Sequence, residues 1–460
     1  MPTAAFMNLG CKVNQYETER LTGSFRDLGF EIVDFRQEAD VYVVNTCSVT
    51  ADADKKSRYT ARKAHRTNPN GRVVLTGCFA QLALDTGETV EGASLLVSNG
   101  DKMRTAERVV DAFPELAASI GASRVTTSSG KAGGALFPSV LSSGSFISVA
   151  DILGSAPASR TRATLKIQDG CRHFCAFCSI PYTRAFNASR PFSEIVQEAR
   201  ELADQGSKEI VVTGVCVGAY GAEFDKGRET LGDVLLAVAG IPGVERVRLS
   251  SVQPIEVDDS IIAAMAAQPK IAPHLHLSLQ SGDDTVLKAM GRPYDTGFYR
   301  NLVHRIRAAV PHVGLTTDLI VGFPGETKEL FENTLRFAEE MTFAGTHVFR
   351  YSPRQRTAAA DMVDDVEFAE KERRHSELTA VSLASQRRFA DTFAGQTLNV
   401  LVEARGSADG FQSGYTENYI RVQFASTERL KGKVVPVKIL HSVSGGDAVG
   451  ELVTQGEANV

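Results

Sequence analysis

The sequence lacks the features of a membrane or secreted protein. No apolar run approaches the roughly 18 residues that a membrane-spanning helix needs. The first residues show no cationic segment followed by an apolar stretch, so we expect no signal peptide. Seven cysteines, an odd number in a chain of 460 residues, argue against a disulfide framework and for a reducing compartment. We therefore expect a cytoplasmic protein without a membrane partner.

The sequence also lacks an overall positive charge. The formal net charge is −5, so the molecule as a whole would not attract nucleic acid, and any basic surface must be local. An apolar content of 43% is ordinary for globular proteins and permits sizeable cores. The length predicts about three domains.

Three of the cysteines form a tight group, Cys171-Arg-His-Phe-Cys175-Ala-Phe-Cys178, directly after an apolar run. A cubane iron–sulfur cluster has four irons and ordinarily takes four cysteines. This loop supplies three and has no fourth nearby, which leaves one iron open to a small chelator such as S-adenosylmethionine. A zinc knuckle is the alternative, but zinc motifs mostly pair two C-x₂-C units or add histidine at set distances. His173 has the wrong spacing, so the motif favours an iron–sulfur cluster.

The first 115 residues alternate between predicted strands and helices, and three strands lead directly into a cysteine. These junctions are Leu9-Gly10-Cys11, Asn45-Thr46-Cys47 and Thr76-Gly77-Cys78. The carboxyl ends of parallel strands share one edge of an open α/β sheet, where ligands bind. The three thiols should therefore meet and hold a second cluster. Three separately buried structural cysteines are the alternative, but all three lie at strand ends.

A run of basic residues without acids extends from Lys55 to Arg72, between the second and third of these cysteines. At helical spacing much of its charge falls along one face. Such a run is usually a solvated surface, but a uniform sign within an acidic protein, beside a metal site, favours phosphate binding. The candidate contacts are Lys55, Lys56, Arg58, Arg62, Lys63 and Arg66.

The rest of the chain predicts a linker, an α/β array and a small β-barrel. Residues 116–156 are rich in Gly, Ser and Ala, which is linker composition. Six strand-like runs then alternate with helices and fit a partial barrel, whose active site would lie at the carboxyl ends of the strands. A charged helix and short strands after Gly395 predict an OB-like barrel. The six runs are 164–167, 209–213, 245–251, 274–280, 315–322 and 346–352.

Two further features are less specific. Cys216 follows the second run of the array without a partner at ligand spacing, so we interpret it as a small buried or pocket residue. In the C-terminal barrel, Tyr415, Tyr419 and Arg421 are candidates for stacking on bases and binding phosphates.

The order of these parts resembles the methylthiotransferases, a family of radical-SAM enzymes, over nearly the whole chain. The segment Gly10-Cys-Lys-Val-Asn-Gln-Tyr-Glu17 is similar to the MtaB type, which acts on N6-threonylcarbamoyladenosine in tRNA. Enzymes for isopentenyladenosine tend to have Cys-Gln-Met-Asn here, and those for a ribosomal protein side chain Cys-Pro-Lys-Asn; both substrates remain alternatives. Further matches are Asn45–Thr50, Thr76–Gln81, Leu165–Cys171, His274–Gly282 and Thr316–Thr327.

The resemblance implies a mixed α/β architecture with three domains. These are an N-terminal Rossmann-like domain at 2–115, a partial (βα)6 radical-SAM barrel at 157–388 and a C-terminal TRAM β-barrel at 391–456. It implies two 4Fe–4S clusters, one on each cysteine triad. It also implies S-adenosylmethionine at Phe177, which matches a residue that meets the adenine, with Gly214, Gln280 and Asp318 as candidates for the rest of the pocket.

The resemblance further implies addition of a methylthio group to C2 of the adenine next to the anticodon. The partners would be the tRNA anticodon stem–loop, an electron donor such as a flavodoxin or ferredoxin, and a sulfur source. We expect no side chain to act as a catalytic acid or base, because an unactivated adenine C2–H requires cofactor chemistry. A non-catalytic iron–sulfur protein that binds RNA is the alternative from another class, but polar residues at the strand ends argue against it.

Two stretches depart from the family pattern. Residues 183–190 carry fewer basic side chains than usual, and Arg350 and Arg356 stand where Pro and Gly are more common. The cysteines are intact, so these departures concern contact with the substrate and leave cluster binding unaffected.

Overall fold

The computed structural model describes residues 1–120, 161–185, 187–225, 227–405, 410–443 and 445–453. The predicted linker at 116–156 lies outside the described residues except for its first part, which continues a helix. Among the described residues, no helix combines the length and the apolar character that crossing a lipid bilayer demands.

The N-terminal part is an open parallel sheet with the spatial order β2-β1-β3-β4-β5. All its strand pairings are parallel, as the apolar runs predict. Its strands are β1 (Thr3–Asn8), β2 (Glu31–Val33), β3 (Val41–Thr46), β4 (Arg72–Gly77) and β5 (Leu95–Leu96). Its helices are α1 (Lys12–Asp27), α2 (Ala51–Thr67), α3 (Cys78–Thr86), α4 (Thr105–Ala112) and α5 (Pro114–Ser119).

Apolar side chains of this sheet alternate between two cores on its opposite faces. In β3, Tyr42 and Val44 pack on one side, while Val41 and Val43 pack on the other. The strand order reverses between β1 and β3, and in open α/β sheets ligands bind at the carboxyl edge of such a switch point. The sheet therefore presents its cysteine loops at the expected edge.

The central part is a curved array of six parallel strands, which confirms the predicted partial barrel. Two hydrogen-bonded sheets, β7-β6-β8-β9 and β10-β11-β12, are joined by the parallel bridges Val247–Ile271 and Val252–Leu277. The strands are β6 (Arg162–Asp169), the antiparallel edge strand β7 (Ala188–Ser189), β8 (Glu209–Gly214), β9 (Arg246–Leu249), β10 (His274–His276), β11 (Gly314–Val321) and β12 (Gly345–Arg350). The helices are α6 (Ile180–Thr183), α7 (Phe192–Asp204), α8 (Leu231–Ala239), α9 (Asp259–Ala267), α10 (Asp284–Ala289), α11 (Thr296–Ala309) and α12 (Lys328–Met341).

Strands β9 and β10 are shorter than predicted, and β10 is the more shortened of the two. The run 274–280 is regular only through His276. The chain then reaches Gln280, which has a φ of 75°, a left-handed conformation that regular strands do not contain.

The C-terminal part is a closed five-stranded barrel that follows helix α13 (Phe368–Asp391). Its strands, in the closed order β13-β14-β15-β17-β16, are β13 (Thr397–Arg405), β14 (Phe411–Thr416), β15 (Arg421–Ala425), β16 (Val434–Ser442) and β17 (Ala448–Leu452). The sequence pattern reveals β13, β15 and β16 but not β14 or β17, each of which contains a glycine. In β14 this residue is Gly414, where a Cβ would lie 2.0 Å from the Leu401 carbonyl oxygen.

The barrel docks on the amino-terminal ends of the central strands. Arg246, at the start of β9, donates a hydrogen bond of 2.8 Å to the Asn399 carbonyl oxygen of β13. The ring of His274 stacks on Tyr419 at 4.4 Å between centroids, and Tyr419 stacks on Tyr415 at 4.7 Å. The two tyrosine rings thus hold the barrel against the array, which differs from their predicted role in stacking on bases.

Candidate functional site

The three N-terminal cysteines lie at the carboxyl edge of the parallel sheet. Cys11 directly precedes α1, Cys47 follows β3, and Cys78 begins α3 after β4. Because β1, β3 and β4 are neighbours, adjacent loops carry the three thiols. Gly10 allows their close approach, since a Cβ at this residue would lie 2.8 Å from Cys47 Sγ. The structure therefore brings together the first predicted triad.

The thiols of this triad lie close enough to influence one another electrostatically. Burial raises the pKa of Cys47 to about 12, and the neighbouring Cys78 and Cys11 act in the same direction. Thiols bind metals as thiolates, so a bound cation would stabilise the buried sulfur atoms of Cys47 and Cys78 together with the exposed Cys11. The donor chemistry fits an iron–sulfur cluster.

The second triad lies on the loop after β6, at the carboxyl edge of the central array. A hydrogen bond of 2.9 Å from the Cys178 N–H to the Cys175 carbonyl closes the turn. The loop is held between two distant segments, because Ala176 donates to the Met290 carbonyl at 2.9 Å and accepts from the Ala359 N–H at 2.8 Å. The conformation of the loop is therefore set by these contacts with the array as well as by the sequence of the loop itself.

The sulfur atoms of this loop have a cationic neighbour. Arg292 Nη1 donates to Cys175 Sγ at 3.4 Å, and its guanidinium lies over the Phe177 ring, 5.6 Å from the centroid. Burial raises the pKa of Cys178 to about 12 and also raises that of Cys175. A guanidinium beside buried thiols is a suitable environment for ligands that carry negative charge.

The spacing of each triad suits a cluster better than a single ion. One zinc ion with bonds of about 2.3 Å holds its sulfur ligands roughly 4 Å apart. Among the described residues, the groups of ligand atoms that all lie within 4.8 Å of one another include neither triad. At least one pair of sulfur atoms in each triad is therefore farther apart than a single zinc ion would hold it.

Cys216 has partners that its position in the sequence does not reveal. It is buried, as predicted, but its Sγ lies 2.9 Å from Glu256 Oε1, and the same oxygen lies 2.7 Å from His173 Nε2. Ligand atoms of Cys171, His173 and Cys216 all fall within 4.8 Å of one another. A hydrogen bond from Cys216 lowers the pKa of Cys171 to about 6. Sequence spacing cannot show these contacts, because the cysteine loop, Cys216 and Glu256 follow three different strands.

A buried ionic network, also absent from the sequence pattern, joins the two parts that carry the cysteines. Glu17 of α1 accepts hydrogen bonds from Lys102 at 2.7 Å, Lys166 at 2.7 Å and Arg184 at 2.8 Å. Burial by itself would raise the pKa of Glu17, but Arg184, Lys102 and Lys166 hold it well below its ordinary value. One carboxylate therefore links the N-terminal sheet to β6 and to the segment after α6.

Two cations of this network act on a cysteine of the first triad. Burial and then Arg184 lower the pKa of Lys102, whereas Glu17 and Cys78 act to raise it. Burial opposes the charge of Arg184 as well, but Glu17, Asp169 and Cys78 hold its pKa well above the ordinary value. The network thus places positive charge within electrostatic range of the sulfur of Cys78.

The residues predicted to bind S-adenosylmethionine lie on the central array. Gly214 ends β8, Gln280 follows β10, and Phe177 lies within the cysteine loop. Gln280 donates from its N–H to the Asp318 carbonyl at 2.8 Å. Asp318 itself lies inside β11, before the carboxyl end of the strand. The first three therefore share the edge that carries the cysteine loop, while Asp318 lies deeper in the array.

The basic run forms helix α2, and three of its six predicted contacts are paired within the chain. The pairs are Arg58–Glu88 at 2.8 Å, Arg62–Glu91 at 3.7 Å and Lys55–Asp52 at 3.5 Å. Lys56, Lys63 and Arg66 are exposed and have no ion-pair partner among the described residues. The positive charge that remains available to a ligand is therefore concentrated on these three side chains.

Arginines in the two stretches that depart from the family pattern also bind within the chain. Arg184 belongs to the Glu17 network, and Arg356 pairs with Asp85 of the N-terminal part at 2.5 Å. Arg350 pairs with Glu372 of α13. These contacts connect the central array to the N-terminal part and to α13.

The fold and the site define a class of protein. A partial barrel of parallel strands carries a three-cysteine loop at its carboxyl edge and packs against an α/β sheet with a second cysteine triad. Residues 165–338 match the model of the radical SAM superfamily, and residues 3–97 match that of the uncharacterized protein family UPF0004. The class is therefore that of radical-SAM proteins with an N-terminal UPF0004 domain.

Similarity to known proteins identifies the family more closely. Threonylcarbamoyladenosine tRNA methylthiotransferase MtaB of Bacillus subtilis is 38% identical over 444 residues, 96% of this chain and 94% of that protein. MtaB of Thermotoga maritima is 34% identical over 441 residues, 96% of this chain and 95% of that protein. The chain belongs to this methylthiotransferase family. The structure of a radical S-adenosylmethionine methyltransferase, TsrM of Kitasatospora setae, is similar over 90% of this chain and 81% of that one, with 17% sequence identity and a TM-score of 0.49. This similarity is too distant to support a conclusion about function.

Proposed function

We propose that the chain is a radical-SAM methylthiotransferase that adds a methylthio group to C2 of N6-threonylcarbamoyladenosine, next to the anticodon of tRNA. The observation that carries this function is the presence of two cysteine triads on strand-end loops of two domains joined by the Glu17 network. Relatives named for this activity match the chain over 96% of its length. The domains are those at 2–115, 157–388 and 391–456.

Each triad holds one 4Fe–4S cluster. Cys171, Cys175 and Cys178 bind the cluster used with S-adenosylmethionine, and the N-terminal triad binds the second. When bound, these cofactors supply the one-electron, sulfur and methyl chemistry that an adenine C2–H requires and that side chains cannot supply. The chain's own residues ligate the clusters, orient S-adenosylmethionine and enclose the site.

S-adenosylmethionine binds at the carboxyl edge of the array. Phe177, Gly214 and Gln280 line this edge, and Asp318 lies below it in β11. Arg292 supports the site from one side, because its guanidinium contacts both the Phe177 ring and Cys175 Sγ. Phe177, Gly214, Gln280 and Arg292 orient the cofactor and take no part in proton transfer.

The tRNA backbone binds along α2. This helix begins shortly after Cys47 and runs toward the start of β4, so its first turns are the part that adjoins the N-terminal triad. Lys56, Lys63 and Arg66 supply most of the contact, because Lys55, Arg58 and Arg62 already have acidic partners. The target base must leave its stack to reach both clusters, as enzymes that modify bases generally require.

The reaction needs two further partners in the reducing cytoplasm. A protein of the flavodoxin or ferredoxin class supplies electrons, and a separate donor supplies sulfur. Both are required because the residues of the chain ligate the clusters but provide neither electrons nor sulfur for repeated turnover.

Mass spectrometry of tRNA nucleosides from a deletion strain tests this function. The strain should accumulate N6-threonylcarbamoyladenosine and lose its 2-methylthio derivative, while the 2-methylthio derivative of isopentenyladenosine persists. Loss of the isopentenyl derivative would show that the substrate assignment is wrong. Unchanged methylthio nucleosides with an altered ribosomal protein would point to the protein-modifying alternative.

A further inference from the structure

Three side chains that commonly bind metals lie together inside the central array. They are His276 on β10, Asp318 on β11 and His347 on β12. In the parallel register His276 is opposite Thr316 and Asp318 is opposite His347, so all three side chains project from the same face of the sheet. A ring nitrogen of each histidine and a carboxylate oxygen of Asp318 all lie within 4.8 Å of one another.

The spacing within this group is that of metal ligands. His276 Nε2 lies 3.2 Å from Asp318 Oδ2. A tetrahedral zinc ion with bonds of about 2.0 to 2.2 Å holds nitrogen and oxygen ligands roughly 3.3 to 3.5 Å apart. His276 Nε2 is buried and has no hydrogen-bond partner among the described residues, although the carboxylate is close. A cation bound between His276 Nε2 and Asp318 Oδ2 would give both atoms a partner.

Neighbouring groups hold His276 in an orientation that suits a ligand. Its Nδ1 lies 3.0 Å from Thr316 Oγ1, which also lies 3.1 Å from His274 Nε2. Imidazole ligands usually make such a hydrogen bond through their second nitrogen, which fixes the tautomer and leaves the first nitrogen free. The side chain of Asp318 is 26% exposed and His347 is exposed, so one side of the group is open.

We propose that His276, Asp318 and His347 bind one divalent transition-metal ion of the zinc class. Two imidazoles and one carboxylate match the ligand sets of zinc and of non-haem iron(II), with further positions open to water or to a substrate oxygen. The site differs from both cysteine triads because its ligands are nitrogen and oxygen. It also does not depend on which cluster either triad holds.

Zinc content of the full-length, cluster-reconstituted protein tests the site. After incubation with zinc and desalting, His347→Gln and His276→Gln should each hold about one zinc ion per chain less than the unchanged protein, since each removes one of three ligands. His304→Gln, an exposed histidine of α11, is the matched control and should bind the full amount. Iron content and circular dichroism should be the same in all four proteins.

Cobalt(II) distinguishes this site from metal capture by cysteines. Nitrogen and oxygen ligands give d–d absorption without the strong thiolate-to-metal band, so the histidine variants should lose d–d absorption alone. Equal zinc content and equal cobalt spectra in the unchanged protein and His347→Gln would overturn the proposal. If His347→Gln misfolds, His276→Gln on β10 decides the question by the same two measurements.

Discussion

Single side chains determine how the two cysteine-bearing domains are held together. Glu17 is almost fully buried, as are its partners Lys102, Lys166 and Arg184. Buried ions are costly to remove from water, and removal of one partner leaves the others uncompensated. The packing of the N-terminal sheet on β6 therefore depends strongly on one carboxylate.

Replacing Glu17→Gln should destabilise the protein by about 3 to 5 kcal/mol, the cost typical of breaking a buried ion pair. Urea unfolding followed by circular dichroism measures this change. Glu88→Gln is the matched control, because it removes the half-exposed partner of Arg58, and such surface pairs contribute at most about 1 kcal/mol. Equal effects of the two substitutions would contradict the role given to Glu17.

The contribution of Glu17 should also depend on pH in a defined direction. Its pKa is lowered in the folded chain from an ordinary value of 4.5. The stabilisation is therefore complete above that value and is lost as the pH falls through the lowered pKa. The stability difference between the unchanged protein and Glu17→Gln should be constant near neutral pH and shrink in acid. A difference that grows in acid would contradict this sign.

The role of the cysteines in the loop after β6 can be tested independently of Glu17. Replacing Cys171, Cys175 and Cys178 by Ala should remove about half of the iron, since each cubane cluster contains four of about eight irons. Formation of 5′-deoxyadenosine from S-adenosylmethionine should stop. Iron analysis and chromatography of the reconstituted protein measure both effects, and unchanged iron would contradict the assignment.

Among the helices and strands, α2 shows how a basic run forms a positively charged surface on one side of a helix. Thr50 caps the helix by accepting from the Ala53 N–H, Asp52 and Asp54 lie in its first turn, and Arg66 lies in its last. The buried side carries Ser57, Thr60, Ala61 and Ala64. Exposed positive charge is therefore left on one side of a well-defined helix.

Changing Lys56, Lys63 and Arg66 together to Gln should weaken tRNA binding and flatten its salt dependence. Each phosphate contact contributes about 0.7 to 0.9 to the slope of log affinity against log salt, so the slope should fall by roughly 2 to 3. Filter binding at several salt concentrations measures the slope.

The control for this experiment is the pair Arg58→Gln with Arg62→Gln. These arginines already face Glu88 and Glu91, so their loss should change the slope much less. If both variants bind tRNA like the unchanged protein, α2 is a solvated surface and another part of the chain binds the backbone.

At the scale of the whole molecule, the sequence predicts the features that depend on the positions of strand ends and on the periodicity of apolar residues. The N-terminal triad is evident because each of its cysteines directly follows a strand, and parallel strands share a carboxyl edge. The second triad is evident because its three cysteines lie close together in one loop. Contacts between distant segments are not predictable in this way. Glu256 beside Cys216, Lys102 beside Glu17 and Glu88 beside Arg58 are brought together only by the fold.

The C-terminal barrel illustrates the same limit. Tyr415 and Tyr419 have the composition of a base-stacking surface, but their rings are used between the barrel and the array. The sequence pattern also predicts too few strands, because Gly414 and Gly450 interrupt the apolar pattern of two of them.

The most direct test of the account is product analysis of Cys47→Ala. Reconstituted protein is incubated with S-adenosylmethionine, a reductant, a sulfur donor and an anticodon stem–loop that contains N6-threonylcarbamoyladenosine. Because the two triads lie on different domains, the variant should still release 5′-deoxyadenosine but form no 2-methylthio nucleoside. Formation of the methylthio nucleoside at the rate of the unchanged protein would contradict the claim that the N-terminal triad takes part in sulfur transfer.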